Sequence, residues 1–262
     1  MNLKNELLKE NIIIDEIMEN KFEMFFQFLV TENKKTNLTR VTEKEDVYYY
    51  HFYDSIMCLK AIDKKNDIKL LDIGAGPGFP SVPIKIVRDD IDLTIVEATN
   101  KKVEFIKNNL NNLNINGVRL FHLRAEDFTE FDKYDYVTTR AVSTIKEQLP
   151  YTIPFLKING KLISMKGQAR AKEEIEEAKP LLKRIGAKVD SLIEYKVKDR
   201  DYVLVVIKKI SATPKGYPKA LHKKKNDWYF INKYISWWYI WTKKTTSMWG
   251  KQMGSSKKWC RL

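Results

Sequence analysis

Cysteine occurs only twice in 262 residues, as Cys58 and Cys260, and histidine only three times. Two distant cysteines without neighbouring ligands exclude a disulfide framework and a zinc cage. His51, His122 and His222 are too few and too scattered for transition-metal catalysis, so no metal is expected. No apolar run approaches the ~20 residues of a membrane span. The N-terminal stretch MNLKNELLKENIIIDEIMEN threads acids and bases through its apolar residues, which is not the layout of a secretory signal. A cytoplasmic protein with no membrane partner is therefore expected. Tryptophan is absent before residue 228, and no Gly-Lys-Ser/Thr follows the glycine-rich turn, which excludes a P-loop.

What is present describes a chain able to bury a full core, with 44% hydrophobic and 31% charged residues. Its net charge of +13 is unevenly spread: residues 211–262 carry 12 bases against Asp227 alone, or +11. All six tryptophans share that segment, interleaved with lysine and without a sustained period. Bases among aromatics can form a stacking platform for single-stranded nucleic acid. The abrupt break in composition reads instead as a disordered extension, with translation out of frame one origin left open. The chain divides accordingly into a helical extension (1–62), a ligand-binding domain (63–210) and a basic tail (211–262) that is disordered after about 225.

Residues 11–32 place Ile17, Phe25, Phe28 and Leu29 at helical spacing, residues 45–62 carry a stripe of Tyr, Phe and Ile, and KKTNLTR between them is a polar connection. His51 and Asp54, three apart on the second helix, share a face and are expected to hold the N-terminal helices on the sheet. From residue 68 strand and helix alternate: IKLLDIG, PSVPIKIV, DLTIVEA, NKKVEFIKNNLNNL, VRLFHL, YDYVTT, a helix near 145–155, GKLISM, and EEIEEAKPLLKRIG with a kink expected at Pro180. VDSLIEYKV and DYVLVVIKK then form a hairpin about KDRD. The pattern is α/β, a largely parallel sheet covered on both faces and closed by an antiparallel C-terminal hairpin.

In LLDIGAGPGFPSVPIKI the first central strand runs into a turn containing Gly74, Gly76 and Gly78. Glycine there lets a ligand approach backbone amides, at the strand end where open parallel sheets bind ligands. Asp72 can accept hydrogen bonds near the turn. Glu97 closes the next strand about 20 residues on, where a carboxylate suits the hydroxyls of a ribose. A dinucleotide fingerprint would place glycine where Phe79 stands, and Pro77 and Pro80 stiffen the turn. These features favour an adenosine lacking a phosphate chain, such as S-adenosylmethionine, over the simpler alternative of a tight strand-to-helix turn with no ligand.

NLTR (Asn37–Arg40), HFYDS (His51–Ser55), the glycine turn, VEATNKKVEFI (Val96–Ile106), RAEDF (Arg124–Phe128), TRAVSTI (Thr139–Ile145) and MKGQ (Met165–Gln168) follow one another in order. From about residue 15 to about residue 225 the series resembles the bacterial 16S ribosomal RNA guanine-N7 methyltransferase family, RsmG or GidB. The resemblance implies the class I S-adenosylmethionine-dependent methyltransferase (Rossmann-like) fold with a seven-stranded sheet. It also implies methyl transfer from S-adenosylmethionine to N7 of a guanine in the 530 loop of 16S rRNA, within a 30S particle; a monomer is expected. It assigns Gly74 and Phe79 to the methionine and adenosine parts of the cofactor, Glu97, Ala98 and Thr99 to the ribose, Ala125 and Glu126 to the adenine, and Arg140 to the mouth of the site. With Asp72, Gly76 and Gly78 these complete the expected cofactor set.

Guanine N7 carries a lone pair and no proton, so the reaction needs alignment and exclusion of water and no general base. The base must be unstacked to enter such a pocket. Arg140 is the residue expected nearest the chemistry, bonded to guanine O6, a phosphate or the cofactor carboxylate. Lys34, Lys35, Arg40, Arg124, Lys166, Lys215, Lys219, Lys223, Lys224 and Lys225 are candidate phosphate contacts, against the alternative of a solvated charged face. Two other classes stay open: a small-molecule methyltransferase would keep the cofactor turn under a lid, and a noncatalytic RNA-binding protein would need basic surfaces without it.

Overall fold

The computed structural model describes residues 2–218, so Lys219, Lys223, Lys224, Lys225 and the tryptophan-rich tail lie outside the described residues. Helix α1 (Leu3–Lys9), which the mixed charges of the N-terminus did not suggest, starts where the Asn2 side chain accepts from the Asn5 amide. In α2 (Glu16–Thr36) the Asp15 carboxylate caps the first turn through the Met18 amide at 2.8 Å. The buried stripe of α2 is Phe22, Phe25, Phe26, Leu29 and Asn33. Ile17, expected in that stripe, is 68% exposed, because the helical period that buries Phe22 and Phe25 turns position 17 outward. Asn37 ends the helix in the left-handed conformation, φ +49°. A second rod follows, built from α3 (Lys44–Val47), a π-helical turn (Tyr48–Tyr53), α4 (Asp54–Ile56) and a 3-10 turn (Met57–Ala61).

Seven strands form one sheet: β1 (Lys69–Ile73), β2 (Asp92–Glu97), β3 (Arg119–His122), β4 (Tyr134–Arg140), β5 (Leu156–Gly167), β6 (Ala187–Val197) and β7 (Arg200–Lys209). Their order is β3-β2-β1-β4-β5-β7-β6, parallel except for β7, which runs antiparallel to both β5 and β6. The expected parallel sheet and closing hairpin are both present. Successive residues of β7 serve opposite faces: Leu204 and Val206 join the core beneath α1, α2 and the second rod, whereas Val203, Val205 and Ile207 join the core beneath α8 (Gln168–Ile185). Burial on both faces is why these strands read as continuous apolar runs. Each fully buried Leu or Ile contributes roughly 1.5–3 kcal/mol to holding the layers together.

Helices α5 (Ser81–Val87) and α6 (Asn100–Asn112) cover the first face with the N-terminal helices, and α7 (Ile145–Gln148) joins α8 on the second. The single helix expected over 145–155 is instead α7 followed by two 3-10 turns, with Pro150 and Pro154 at their starts. Proline has no amide hydrogen to continue an α-helical ladder. By contrast, α8 runs on through Pro180, which lies on its exposed face where water can satisfy the orphaned carbonyl. The strand order reverses between β1 and β4, so their C-terminal ends open a crevice. The glycine turn follows one of these strands and Arg140 ends the other.

Candidate active site

The turn after β1 is shaped by backbone that only glycine adopts comfortably. Gly74, Gly76 and Gly78 have φ of +73°, +60° and +95°. A Cβ on Gly78 would stand 2.8 Å from Val82 Cγ2, and one on Gly74 would stand 3.0 Å from Val142 Cγ2, whereas Gly76 faces open space. Gly78→Ala is thus expected to destabilise the fold by more than Gly76→Ala, which meets only the ~1–2 kcal/mol cost of left-handed backbone. Urea denaturation of the two variants measures the difference, and equal losses would contradict the steric reading.

Glu97 closes this turn from the neighbouring strand. Its carboxylate is 4% exposed and accepts from the Gly76 amide (3.0 Å, Oε2) and the Thr99 amide (2.9 Å, Oε1). One oxygen grips the glycine turn and the other the N-terminus of α6. Each oxygen keeps a second lone pair for a hydroxyl. Ala98 is exposed beside it, and Ala125 and Glu126, partly exposed in a 3-10 turn after β3, line the same strand-end edge. Asp72 is different: it has no exposed surface, and its carboxylate accepts from the Ser81 amide (3.3 Å) and Thr138 Oγ1 (3.1 Å). Asp72 therefore supports the turn from below and leaves the expected set of direct cofactor contacts. Burial pushes its carboxyl up to about 7.

Phe79 also turns inward. Its ring is 5% exposed and stacks between Phe25 (5.2 Å) and His51 (4.5 Å), which carries the turn onto the N-terminal helices. It still takes part in lining the cleft.

Arg140 departs most from expectation. Its Nε lies 3.3 Å from Asp54 Oδ2, Nη1 reaches His51 O (3.3 Å) and Ser55 Oγ (3.0 Å), and Nη2 reaches Tyr50 O (2.6 Å) and His51 Nδ1 (2.8 Å). All three guanidinium nitrogens are engaged by the second rod, whose π-helical turn presents the carbonyls they take. In this arrangement Arg140 latches the N-terminal helices to β4, and its guanidinium is not free for guanine or a cofactor carboxylate. His51 and Asp54 hold helix to sheet as expected: Asp54 also accepts from Tyr195 Oη at 2.6 Å.

Because Arg140 donates to Nδ1, the His51 ring places its hydrogen on Nε2 and donates to Thr39 Oγ1 at 2.9 Å. Burial, with Arg140 beside it, pushes the imidazole down to about 3. The stability that neutral His51 carries is complete above its ordinary value near 6.5 and is lost as pH falls toward 3. Asp72 acts oppositely: its contribution is complete below the ordinary 3.8 and is lost as pH rises through 7. The two oppose each other across mildly acidic pH. His51→Gln removes one of them, so acidification from about pH 7 to about pH 5 should favour the variant relative to wild type in urea denaturation. Parallel pH profiles would contradict the assignment.

A cleft of about 200 Å³ opens here, lined by Gly74, Gly76, Phe79, Arg140 and, unforeseen, Thr39 and Lys102. The Asn33 side chain brings Thr39 in by accepting from the Leu38 and Thr39 amides and donating to Thr39 O. The adjacent lysines at the start of α6 were the available signal for Lys102. A larger hollow of about 300 Å³ between α1, α2 and α3 holds an exposed ion pair, Lys44–Glu23 at 2.8 Å, and lies away from the strand ends.

Among the expected phosphate contacts, Lys34, Lys35, Arg40, Arg124 and Lys215 are exposed, although Lys35 pairs with Glu32. Lys166 is not free: its side chain is 13% exposed and pairs with Glu174 at 2.8 Å. Its place among the RNA contacts is withdrawn, because a phosphate would have to displace a partly buried carboxylate.

The residues fit S-adenosylmethionine: Glu97 retains acceptor capacity for ribose, the backbone at Gly76 faces open space, and Ala125 and Glu126 edge the next strand end, while the Gly74, Gly76 and Gly78 amides are held by Val96 O, Glu97 and Ala75 O and shape the turn instead of awaiting a ligand. Sheet order, turn and acid together define a class I S-adenosylmethionine-dependent methyltransferase. The same fold is seen in Pyrococcus horikoshii TYW2 solved with MeSAdo, with a TM-score of 0.51 and 19% identity over 60% of this chain and 62% of that one. An Aquifex aeolicus SAM-dependent methyltransferase shares it too, with a TM-score of 0.50 and 15% identity over 66% of this chain and 97% of that one.

Residues 18–203 match the family model for GidB, rRNA small subunit methyltransferase G. Relatives called ribosomal RNA small subunit methyltransferase G include one from Streptococcus pneumoniae serotype 19F, 43% identical over 223 residues, 82% of this chain and 93% of that protein. Another, from Streptococcus agalactiae serotype III, is 41% identical over 219 residues, 81% of this chain and 92% of that protein. The chain belongs to the GidB family of rRNA small subunit methyltransferases, whose cofactor is S-adenosylmethionine.

Proposed function

We propose that the chain methylates N7 of a guanine in 16S rRNA, acting in the cytoplasm as a monomer on a 30S particle. S-adenosylmethionine, when bound, supplies an electrophilic methyl group on a sulfonium. The chain's part is to hold that cofactor on the Gly74–Phe79 turn and Glu97, and to admit one unstacked purine. The observation that carries the reading is the Glu97 carboxylate bridging Gly76 and Thr99 beside the β1/β4 crevice. A nucleophile without a proton also suits the groups at hand. His51 is the cleft's imidazole, and it is neutral with both nitrogens engaged, so it does not serve as a base. Methyl transfer then depends on alignment of the base with the methyl group and on the bound cofactor and base excluding water between them.

Arg40, adjoining the cleft residue Thr39, and Lys102, within the lining, stand where substrate phosphates would approach. Lys34, Arg124 and Lys215 extend this exposed basic set. Glu97, Ala98 and Thr99 serve the ribose, and Ala125 and Glu126 the adenine. Incubation with labelled S-adenosylmethionine and unmodified 30S particles, followed by mapping of the methylated base, tests the proposal. Label on one 16S guanine N7 is the expected result. Label confined to small molecules, or RNA binding without transfer, would replace it with one of the other two classes.

A further inference from the structure

Four residues, Ala141–Thr144, link β4 to α7 beside the glycine turn. Ala141 has φ +53°, an unusual conformation for a residue with a Cβ, and it turns the chain so that Val142 lies over Gly74. Val142 is 41% exposed, yet its Cγ2 takes the space that a Cβ on Gly74 would need. An exposed apolar side chain pressed on the cofactor turn needs something to hold it there.

The segment is fixed from the far side. Lys166 Nζ donates to Ser143 O, Ser143 Oγ meets Tyr151 Oη at 2.6 Å, and the Ile145 amide donates to Glu174 Oε2 at 2.9 Å. That same Glu174 oxygen is 2.8 Å from Lys166 Nζ, with the two side chains only 13% and 16% exposed. Lys166 ends β5 and Glu174 lies on α8, so one ion pair joins strand, helix and link. Thr144 completes the anchorage by capping α7 together with Glu147.

We propose that the Lys166–Glu174 pair is a positioning device: it sets Ala141–Thr144, and Val142 with it, against the glycine turn, and thereby sets the affinity for S-adenosylmethionine. The proposal rests on the reading that this turn holds the cofactor. It gives Lys166 a role through its neighbours instead of a contact with RNA phosphate.

The test compares the full-length wild type with Lys166→Met, Glu174→Gln, the double variant and Lys166→Arg. S-adenosylmethionine binding is measured by calorimetry, amide exchange without ligand, and RNA association across a salt series. Lys166→Met and Glu174→Gln should each weaken cofactor binding by about tenfold, a typical coupling between linked sites. The double variant should be no weaker than the weaker single, because one pair is broken once. Exchange at Ala141–Ile145 should accelerate in both singles, Lys166→Arg should recover most of the affinity, and the salt slope of RNA binding should stay that of wild type.

Cofactor affinities within twofold of wild type, additive losses, or a salt slope reduced only in Lys166→Met would each overturn the proposal. Should Lys166→Met fail to fold, Glu174→Gln, which keeps an acceptor for the Ile145 amide, carries the test. A wild type without affinity for the cofactor would defeat the functional reading instead, and amide exchange would still decide whether the pair positions the link.

Discussion

Replacing Arg140 with methionine is expected to remove about 3–5 kcal/mol of folding stability, the loss typical when one partner of a buried ion pair is deleted. The reason is what remains. Asp54 is buried on the second rod, where burial pushes its carboxyl up while Arg140 and Tyr195 pull it back. Without the guanidinium it keeps only the Tyr195 hydroxyl, and Tyr50 O, His51 O and His51 Nδ1 lose a donor. Methionine fills much of the volume, so most of the loss is electrostatic.

Urea denaturation measures the effect, and the companion variant Asp54→Asn separates the terms. In the double variant the stranded carboxylate is gone, so its loss should fall short of the two single losses added together. Additive losses, or a change below about 1 kcal/mol in Arg140→Met, would mean that the latch is worth no more than an exposed pair. The result also sets how activity data on Arg140 variants are to be read: an inactive Arg140→Ala enzyme first needs to be shown folded.

The second large effect concerns Glu97. Glu97→Ala should weaken S-adenosylmethionine binding by about 100-fold, or ~2.7 kcal/mol. It removes the proposed ribose acceptor and also frees the Gly76 and Thr99 amides, so the turn loses its anchor together with the carboxylate. Glu97→Gln should fare nearly as badly. Both carboxylate oxygens receive backbone N–H groups, so the amide NH₂ of glutamine would face one of those donors. Equilibrium dialysis with labelled cofactor checks the pair of variants, and wild-type affinity in Glu97→Gln would show that a hydroxyl acceptor is all the site requires.

The strands and the turn were legible because their signals are local. The unbroken apolar run Val203–Ile207, buried on both faces, marks β7, and Glu97 falls at the strand end that the glycine turn implies. Arg140 could be placed at a strand end from the sequence, but its partners could not: they sit 85 to 90 residues earlier, in a π-helical turn and the start of α4, which no short-range pattern announces. Lys166 failed for the same reason, since nothing local shows that Glu174, nearly two turns into the following helix, pairs with it. Phe79 both lines the cleft and packs beneath the turn, since an aromatic residue serves either description and the Phe25 and His51 stacks were not visible in the sequence. Thr39 entered the cleft through Asn33, a polar residue on the buried stripe of α2 that a hydrophobic count overlooks.

Isothermal titration of the folded wild-type chain with S-adenosylmethionine tests most directly whether the Glu97-anchored turn is a cofactor seat. One saturable site per chain, weakened in Glu97→Ala while the variant stays folded, is the predicted outcome. No binding heat at any temperature tried, or an isotherm that Glu97→Ala leaves unchanged, would contradict it.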